Sequence, residues 1–380
     1  MGMWSHFDAA EIDEDFARIA GLGLDSVRFF LTWETFQPAA DTISSEMLDR
    51  FIVVLDLAHA RGLRAMPTLF CGHMSGVNWL PAWTLDSRFE SRRFRTLTAA
   101  GPSPYGIGDF YTGALLDAQR ALARAAGERA RNHPALLAWD LGNEFSNLRE
   151  PQTPDDAVHW SAALTHDLFA SSNIGATGGL HGEDLGFDRN IRPSSIAAPW
   201  DFATMHGYSV YSDFARTRRD PEVVPFLYAL TAAFSDKRVL FSEFGNPTCP
   251  AGRPHEAGGL ACLSEQEMTV YAHQVLDRLQ HRGALGAFWW CWADYAAELA
   301  QTPPFDRAPH ELTFGIVRND GSEKPVAATL AAFARERREV GSPQYEAFGA
   351  ENDFYAGLPK SLALAYAFHC EANNLSQEVS

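Results

Sequence analysis

Apolar residues recur along this chain at two alternating spacings. Residues 8–22 carry them at three- to four-residue intervals, which predicts an amphipathic helix ending at Gly21 and Gly23. Residues 25–31, DSVRFFL, follow as a short apolar run of strand length. The same alternation continues with a helix over 44–61, opened by Ser44 or Ser45 and closed at Gly62, and a strand over 63–71. A long irregular insert spans 72–107, and a helix rich in Ala and Arg spans 109–132. Strands then fall at 135–142, 173–179, 202–208, 238–244 and 284–292. Helices between and after them cover 154–171, a short stretch near 190–198, 220–235, 264–282 and 322–338, with a Gly/Pro loop at 245–263 and a tail from 340.

Strands separated by helices over such a length predict a parallel α/β architecture. The size suits a (β/α)8 TIM barrel formed by residues 1–340, with 341–380 a C-terminal tail packing on it. The strand count does not close: seven runs are visible, and helix 8–22 has none before it. An eight-stranded barrel begins with a strand, so the first strand is expected to be missing or not recognisable at the N-terminus.

Composition narrows the partners. The chain has 31 Lys and Arg against 48 Asp and Glu, a net charge of −17, and no basic cluster. That argues against nucleic acid and anionic membrane surfaces and leaves neutral ligands such as sugars open. No apolar run approaches a membrane span, and the acidic N-terminus lacks a signal core, so a cytoplasmic location is expected. The five cysteines form neither a framework nor a CxxC pair, and Cys71 and Cys291, set in apolar runs, read as reduced buried thiols.

In a parallel barrel the chemistry lies at the carboxyl ends of strands. Arg28 lies in the first visible strand, His73 follows the second, and Asn143 and Glu144 end the third, in LLAWDLGNEFSN. His206 and Tyr208 end the run at 202, Glu243 ends the run at 238, and Trp290 and Trp292 fall on alternate positions of the last. Two glutamates on different strand ends are what glycoside hydrolysis requires; a separation of about 5 Å gives retention and about 6.5–9.5 Å inversion. Each residue also has a plainer reading. Glu144 after Asn143 could be a capping or solvated residue, and Arg28 could pair with a structural carboxylate. His73 could be a satisfied loop histidine or, with His206, a metal ligand, although no HxH or HExxH spacing supports a metal site. The tryptophans at 289, 290 and 292 could fill a core, and Trp289 is expected to face the helices.

Taken in order, these residues resemble the retaining glycosidases of clan A, most closely glycoside hydrolase family 5. That family carries an Arg on an early strand, a His after the third and Asn-Glu after the fourth. It continues with His-x-Tyr after the sixth, Glu after the seventh and Trp on the eighth. Arg28, His73, Asn143, Glu144, His206, Tyr208, Glu243 and Trp290 match in type and order over roughly residues 8–340. The segments LTWETFQP, FCGHMSGVNWLPAW, MHGYSVYSDFA and FGIVRNDGSEKP resemble the bacterial β-mannosidase-like members, which remove terminal β-linked mannose. An endo-acting mannanase or cellulase, or a catalytically impaired sugar-binding barrel, is the alternative.

The resemblance implies Glu144 as acid/base and Glu243 as nucleophile, with Arg28 and Tyr208 favouring the nucleophile's charge. Asn143 would bind the sugar 2-hydroxyl, His73 and His206 would hold sugar hydroxyls or the groups that touch them, and Trp290 would stack on the ring. Trp292 and Trp33 are candidates for neighbouring contacts, and the insert, with Trp79 and Trp83, would wall off the cleft for exo action on a small β-glycoside or oligosaccharide. No metal or organic cofactor is implied.

Overall fold

Several helices in this protein begin at a side chain that caps them, as seen in a computed structural model that describes residues 2–91, 93–249 and 260–373. The described residues divide into two compact units. The first runs through Gly179 and takes in Arg189–Ile191 and Ser195–Phe202; the second holds the remainder.

In the first unit, α1 (Ala9–Gly21) begins where Asp8 accepts from the amides of Ala10 and Glu11. Strand β1 (Ser26–Thr32) follows, then α2 (Ser45–Ala60), capped by Ser44 on the Met47 amide, and β2 (Arg64–Cys71). Helix α3 (Gly113–Arg129), β3 (Trp139–Asn143), α4 (Pro154–Ser172) and β4 (Ala176–Gly179) complete the unit. Thr153 and Asp156 form a reciprocal capping box at the start of α4, satisfying two amide donors that the first turn leaves open. The four strands pair in parallel in the order β1-β2-β3-β4.

The insert that sequence reads as irregular is ordered β structure. Residues 73–74, 77–79, 95–98 and 101–103 form a four-stranded sheet, and 85–90 pairs antiparallel with 105–107. These strands are two to six residues long and interrupted by Gly and Pro, too short for alternation to register.

In the second unit, β5 (Ala203–His206), α5 (Val223–Ser235), β6 (Val239–Phe244), α6 (Glu265–His281) and β7 (Ala287–Trp289) alternate, followed by α7 (Pro325–Arg335). Their sheet is parallel, in the order β5-β6-β7. The expected tail contains two helices, α8 (Glu351–Ala356) and α9 (Lys360–Ala372). Helix α9 docks through polar anchors: Tyr366 donates to Asp220 at 2.7 Å, and the buried His369 lies 3.1 Å from Glu346. Of the expected tail and Gly/Pro loop, residues 374–380 and 250–259 lie outside the described residues.

All seven expected strands are present and parallel, and among the described residues none precedes α1. They are hydrogen-bonded as two sheets, one of four strands and one of three, and no closed barrel is seen among the described residues. Cys249 and Cys262 are joined by a disulfide, a pairing that cysteine spacing did not indicate. Beside it, the buried Lys324 ammonium donates to Asp294 at 2.7 Å and to the Thr248 hydroxyl and Thr313 carbonyl at 3.0 Å. These contacts reinforce backbone hydrogen bonds between the same segments, from Thr248 to the Thr313 carbonyl at 3.0 Å and from Asp294 to the Val317 carbonyl at 2.9 Å.

One glycine is dictated by proximity. A Cβ at Gly179 would sit 2.0 Å from the carbonyl oxygen of Gly142, where β3 and β4 pair, and neither backbone can give way. Gly179→Ala is therefore expected to lower unfolding free energy by about 1–3 kcal/mol, the usual cost of overpacking, read by urea denaturation.

Candidate active site

The polar residues of LLAWDLGNEFSN are organised around one buried carboxylate. Asp140 on β3 is fully buried, and its Oδ2 accepts from Arg28 Nε at 2.9 Å, Arg28 Nη2 at 2.8 Å and the Thr68 hydroxyl at 2.7 Å. Arg28 comes from β1 and Thr68 from β2, so the carboxylate links three neighbouring strands. A buried charge demands this: left alone it would be heavily destabilising, and paired with a guanidinium and a hydroxyl it is tolerated. The structural-carboxylate reading of Arg28 is thus the observed pairing.

Arg28 Nη2 also donates to Asn143 Oδ1 at 2.8 Å, and Asn143 Nδ2 donates to the His73 carbonyl at 2.8 Å. The Asn143 amide is held at both ends, which fixes which of its atoms faces which way. Glu144 follows with φ 48° and ψ 46°, a left-handed conformation uncommon for a residue with a Cβ and often found where a functional side chain is aimed. The turn it opens, Phe145–Asn147, brings the Asn147 side chain back so that its Nδ2 donates to Glu144 Oε2 at 3.1 Å. His73 Nε2 lies 3.7 Å from the same oxygen, and His73 Nδ1 is 2.7 Å from Asn78 Oδ1. Arg28, His73, Asn143 and Glu144 therefore assemble as one connected group within the first unit.

The insert contributes residues here that sequence reasoning did not single out. Asn78 partners His73, Phe94 packs on the His73 ring at 4.5 Å, and Arg93 reaches Asn147 Oδ1 at 3.0 Å. Asn147 stands in the quoted motif and could have been noticed as a polar residue three positions after Glu144. Nothing in the sequence signals the rest, because their placement depends on how the insert folds back.

One aromatic assignment changes. Trp33 was expected as a neighbouring sugar contact, but it is fully buried. Its indole donates to Gln37 at 2.8 Å, and Phe70, Trp83 and Phe110 surround it edge-on at 5.6–5.9 Å. It is core, with protein on every side. Trp83 lies against Trp33 and donates to the Gln37 carbonyl at 3.0 Å, while Trp79 donates to the Met74 carbonyl at 3.3 Å.

The second unit holds the other group. His206 and Glu243 are register partners across β5 and β6. Tyr208 donates to Glu243 Oε1 at 2.5 Å, and His206 Nδ1 lies 3.7 Å from Oε2, so each carboxylate oxygen has its own neighbour. Gly207 donates its amide to the Glu243 carbonyl at 3.1 Å. Tyr208 is packed by Tyr211 and Phe314 at 5.6 and 5.8 Å, which limits the swing of its ring. Tyr211 in turn donates to Glu311 at 2.9 Å and lies 2.7 Å from His310, whose pKa burial pushes down to about 4, keeping it neutral.

Strand β7 ends at Trp289, whose indole donates to the Phe314 carbonyl at 3.0 Å and whose ring packs on Phe244 at 5.1 Å. Trp290 and Trp292 lie beyond it on bends, half-buried. The alternation argument that placed both on one strand face does not extend to them, since it holds only for paired extended backbone. Burial, then Glu311 and Asp294, pushes the Cys291 thiol pKa well up, so Cys291 is neutral at physiological pH.

No family model and no curated protein matches the sequence. Solved structures do match. A GH5_18 protein from Streptomyces cattleya, in complex with Manβ1-4GlcNAc, superposes at TM-score 0.79 and 20% identity, over 98% of this chain and 89% of that one. A GH5_18 protein from Bifidobacterium longum subsp. longum, also in complex with Manβ1-4GlcNAc, superposes at 0.72 and 22%, over 90% and 76%. The exo-β-1,4-mannosidase Op5Man5 from Opitutaceae bacterium strain TAV5 superposes at 0.72 and 25%, over 89% of this chain and 57% of that one, so the chain spans a little over half of that protein. The fold is the one these proteins share, and the resemblance to β-mannosidase-like members of glycoside hydrolase family 5 is supported.

Asp140→Ala would leave Arg28 buried without its carboxylate. A loss of about 3–5 kcal/mol in unfolding free energy is expected, with Asp140→Asn milder, both read by chemical denaturation.

Proposed function

We propose that the chain is a retaining β-glycosidase that removes terminal β-linked mannose. The observation that carries this is the pair of glutamates. Each stands at the carboxyl end of a parallel strand, and each carboxylate receives a hydrogen bond from a fixed donor, Asn147 for Glu144 and Tyr208 for Glu243. The shared fold with an exo-β-1,4-mannosidase and with GH5_18 proteins bound to Manβ1-4GlcNAc supports the sugar and the class of reaction.

In the first step Glu243 attacks the anomeric carbon as its bond to the glycosidic oxygen breaks, and Glu144 gives its proton to that departing oxygen. A glycosyl ester on Glu243 results. In the second step Glu144 takes a proton from water, the water oxygen bonds to the anomeric carbon, and the ester bond breaks to free Glu243. Two inversions give net retention.

Asn143 has one Nδ2 hydrogen beyond its bond to the His73 carbonyl and serves the sugar 2-hydroxyl. Arg28 acts through Asn143 and Asp140, holding that amide in place. The buried His73 and His206 stand beside the Glu144 and Glu243 carboxylates, Tyr208 fixes the attacking oxygen of Glu243, and Trp290 and Trp292 offer ring faces to the sugar. The ordered insert, which brings Asn78, Arg93 and Phe94 against the Glu144 group, supports action on short substrates.

The test is turnover of a panel of p-nitrophenyl β-glycosides by the chain and by Glu243→Ala. Release from the β-mannoside, abolished in the variant, is expected; cleavage of mannan chains with silence across the panel would point to an endo enzyme. Glu144→Gln should lose about 10²–10⁴-fold on poor leaving groups, the usual share of general acid catalysis, and little on activated ones in the glycosylation step. Glu243→Gly should regain activity with azide on an activated mannoside, and failure at every azide concentration would remove the nucleophile assignment.

A further inference from the structure

Asn147 is not explained by the reaction as written, yet its amide is among the most constrained in the first unit. Its Nδ2 faces Glu144 Oε2 at 3.1 Å. Its Oδ1 accepts from two guanidinium groups, Arg93 Nη1 at 3.0 Å and Arg189 Nη1 at 3.2 Å, and its carbonyl accepts from Asn78 Nδ2 at 3.3 Å. A side-chain amide can present either end to a carboxylate. With two cationic donors on the oxygen, only the NH₂ end can face Glu144 without placing an oxygen against an oxygen.

Both arginines are themselves held. Arg189 is buried, lies 3.5 Å from Glu150 and donates to the Ser146 hydroxyl at 3.3 Å. The Arg93 guanidinium stacks on Phe94 at 4.7 Å, and Phe94 packs on His73, the other neighbour of Glu144 Oε2. The insert thus reaches the same carboxylate oxygen by two routes, through Asn78 and His73 and through Arg93 and Asn147.

We infer that Asn147, clamped by Arg93 and Arg189, is a positioning residue that sets the orientation of the Glu144 carboxyl for proton transfer. The inference rests on the proposed role of Glu144 as proton donor. Proton transfer needs the donor within hydrogen-bond reach of the leaving oxygen, so a carboxyl free to rotate loses rate only where protonation matters.

The experiment compares kcat/KM on a poor and on an activated aryl β-mannoside for Asn147→Ala, for the double variant Arg93→Met with Arg189→Met, and for the triple combination. Asn147→Ala is expected to lose about tenfold or more on the poor leaving group, a part of the 10²–10⁴-fold that general acid catalysis supplies, and little on the activated one. The arginine variant should reproduce this bias, the triple variant should add little to it, and Arg93→Lys alone should retain activity. Equal losses on both substrates, or fully additive losses, would mean that Asn147 only supports the fold, and the inference would fall. If Glu144→Gln itself shows no leaving-group bias, the acid assignment fails instead, which separates the two. A crystal structure of Asn147→Ala gives an answer independent of turnover: more than one orientation of the Glu144 carboxyl is expected, and a single unchanged one would overturn the inference.

Discussion

The first unit depends on a single buried charge. Asp140 has no solvent, so its carboxylate must be met by donors from neighbouring strands, and Arg28 and Thr68 supply them. Breaking such a pair is costly because a bare charge remains in an apolar core, and this is what holds β1, β2 and β3 in one arrangement. The consequence extends outward by one residue at a time. Arg28 orients Asn143, Asn143 reaches the His73 carbonyl, and Glu144 begins its turn from a strand end that cannot shift.

The second unit reaches a comparable result by other means. Parallel pairing makes His206 and Glu243 partners, and Tyr208, two residues past the first of them, closes on the carboxylate. Here the carboxylate is met by a phenol and an imidazole rather than by a guanidinium, and aromatic packing around Tyr208 limits its motion. Asp140, by contrast, has two guanidinium nitrogens and a hydroxyl donating to a single oxygen. Of the two acidic residues in LLAWDLGNEFSN, Asp140 is buried in this network, and Glu144 follows in a turn where Asn147 donates to its Oε2.

The insert shows how a loop becomes part of a site. Its short strands build a small sheet of their own, with Asn78 on one strand and Arg93 and Phe94 on the bend just before another. All three touch the groups that touch Glu144: Asn78 and Phe94 meet His73, and Arg93 meets Asn147.

The sequence alone determined the alternation of helices and strands, because amphipathic spacing, the caps at Asp8, Ser44, Thr153 and Ser264 and the stops at Gly23 and Gly62 are local features. It also determined the ordered set of polar residues at strand ends, since strand ends can be counted from the apolar runs. Tertiary structure alone decided the partner of Arg28, the burial of Trp33, the Cys249–Cys262 disulfide, the sheet inside the insert, the helices after residue 350 and the grouping of strands into two sheets. Each of these depends on which distant segments become neighbours. Arg28 and Asp140 lie 112 positions apart, and nothing along the chain between them records that they meet. Local spacing fixes which face a side chain presents, and only packing fixes what that face meets.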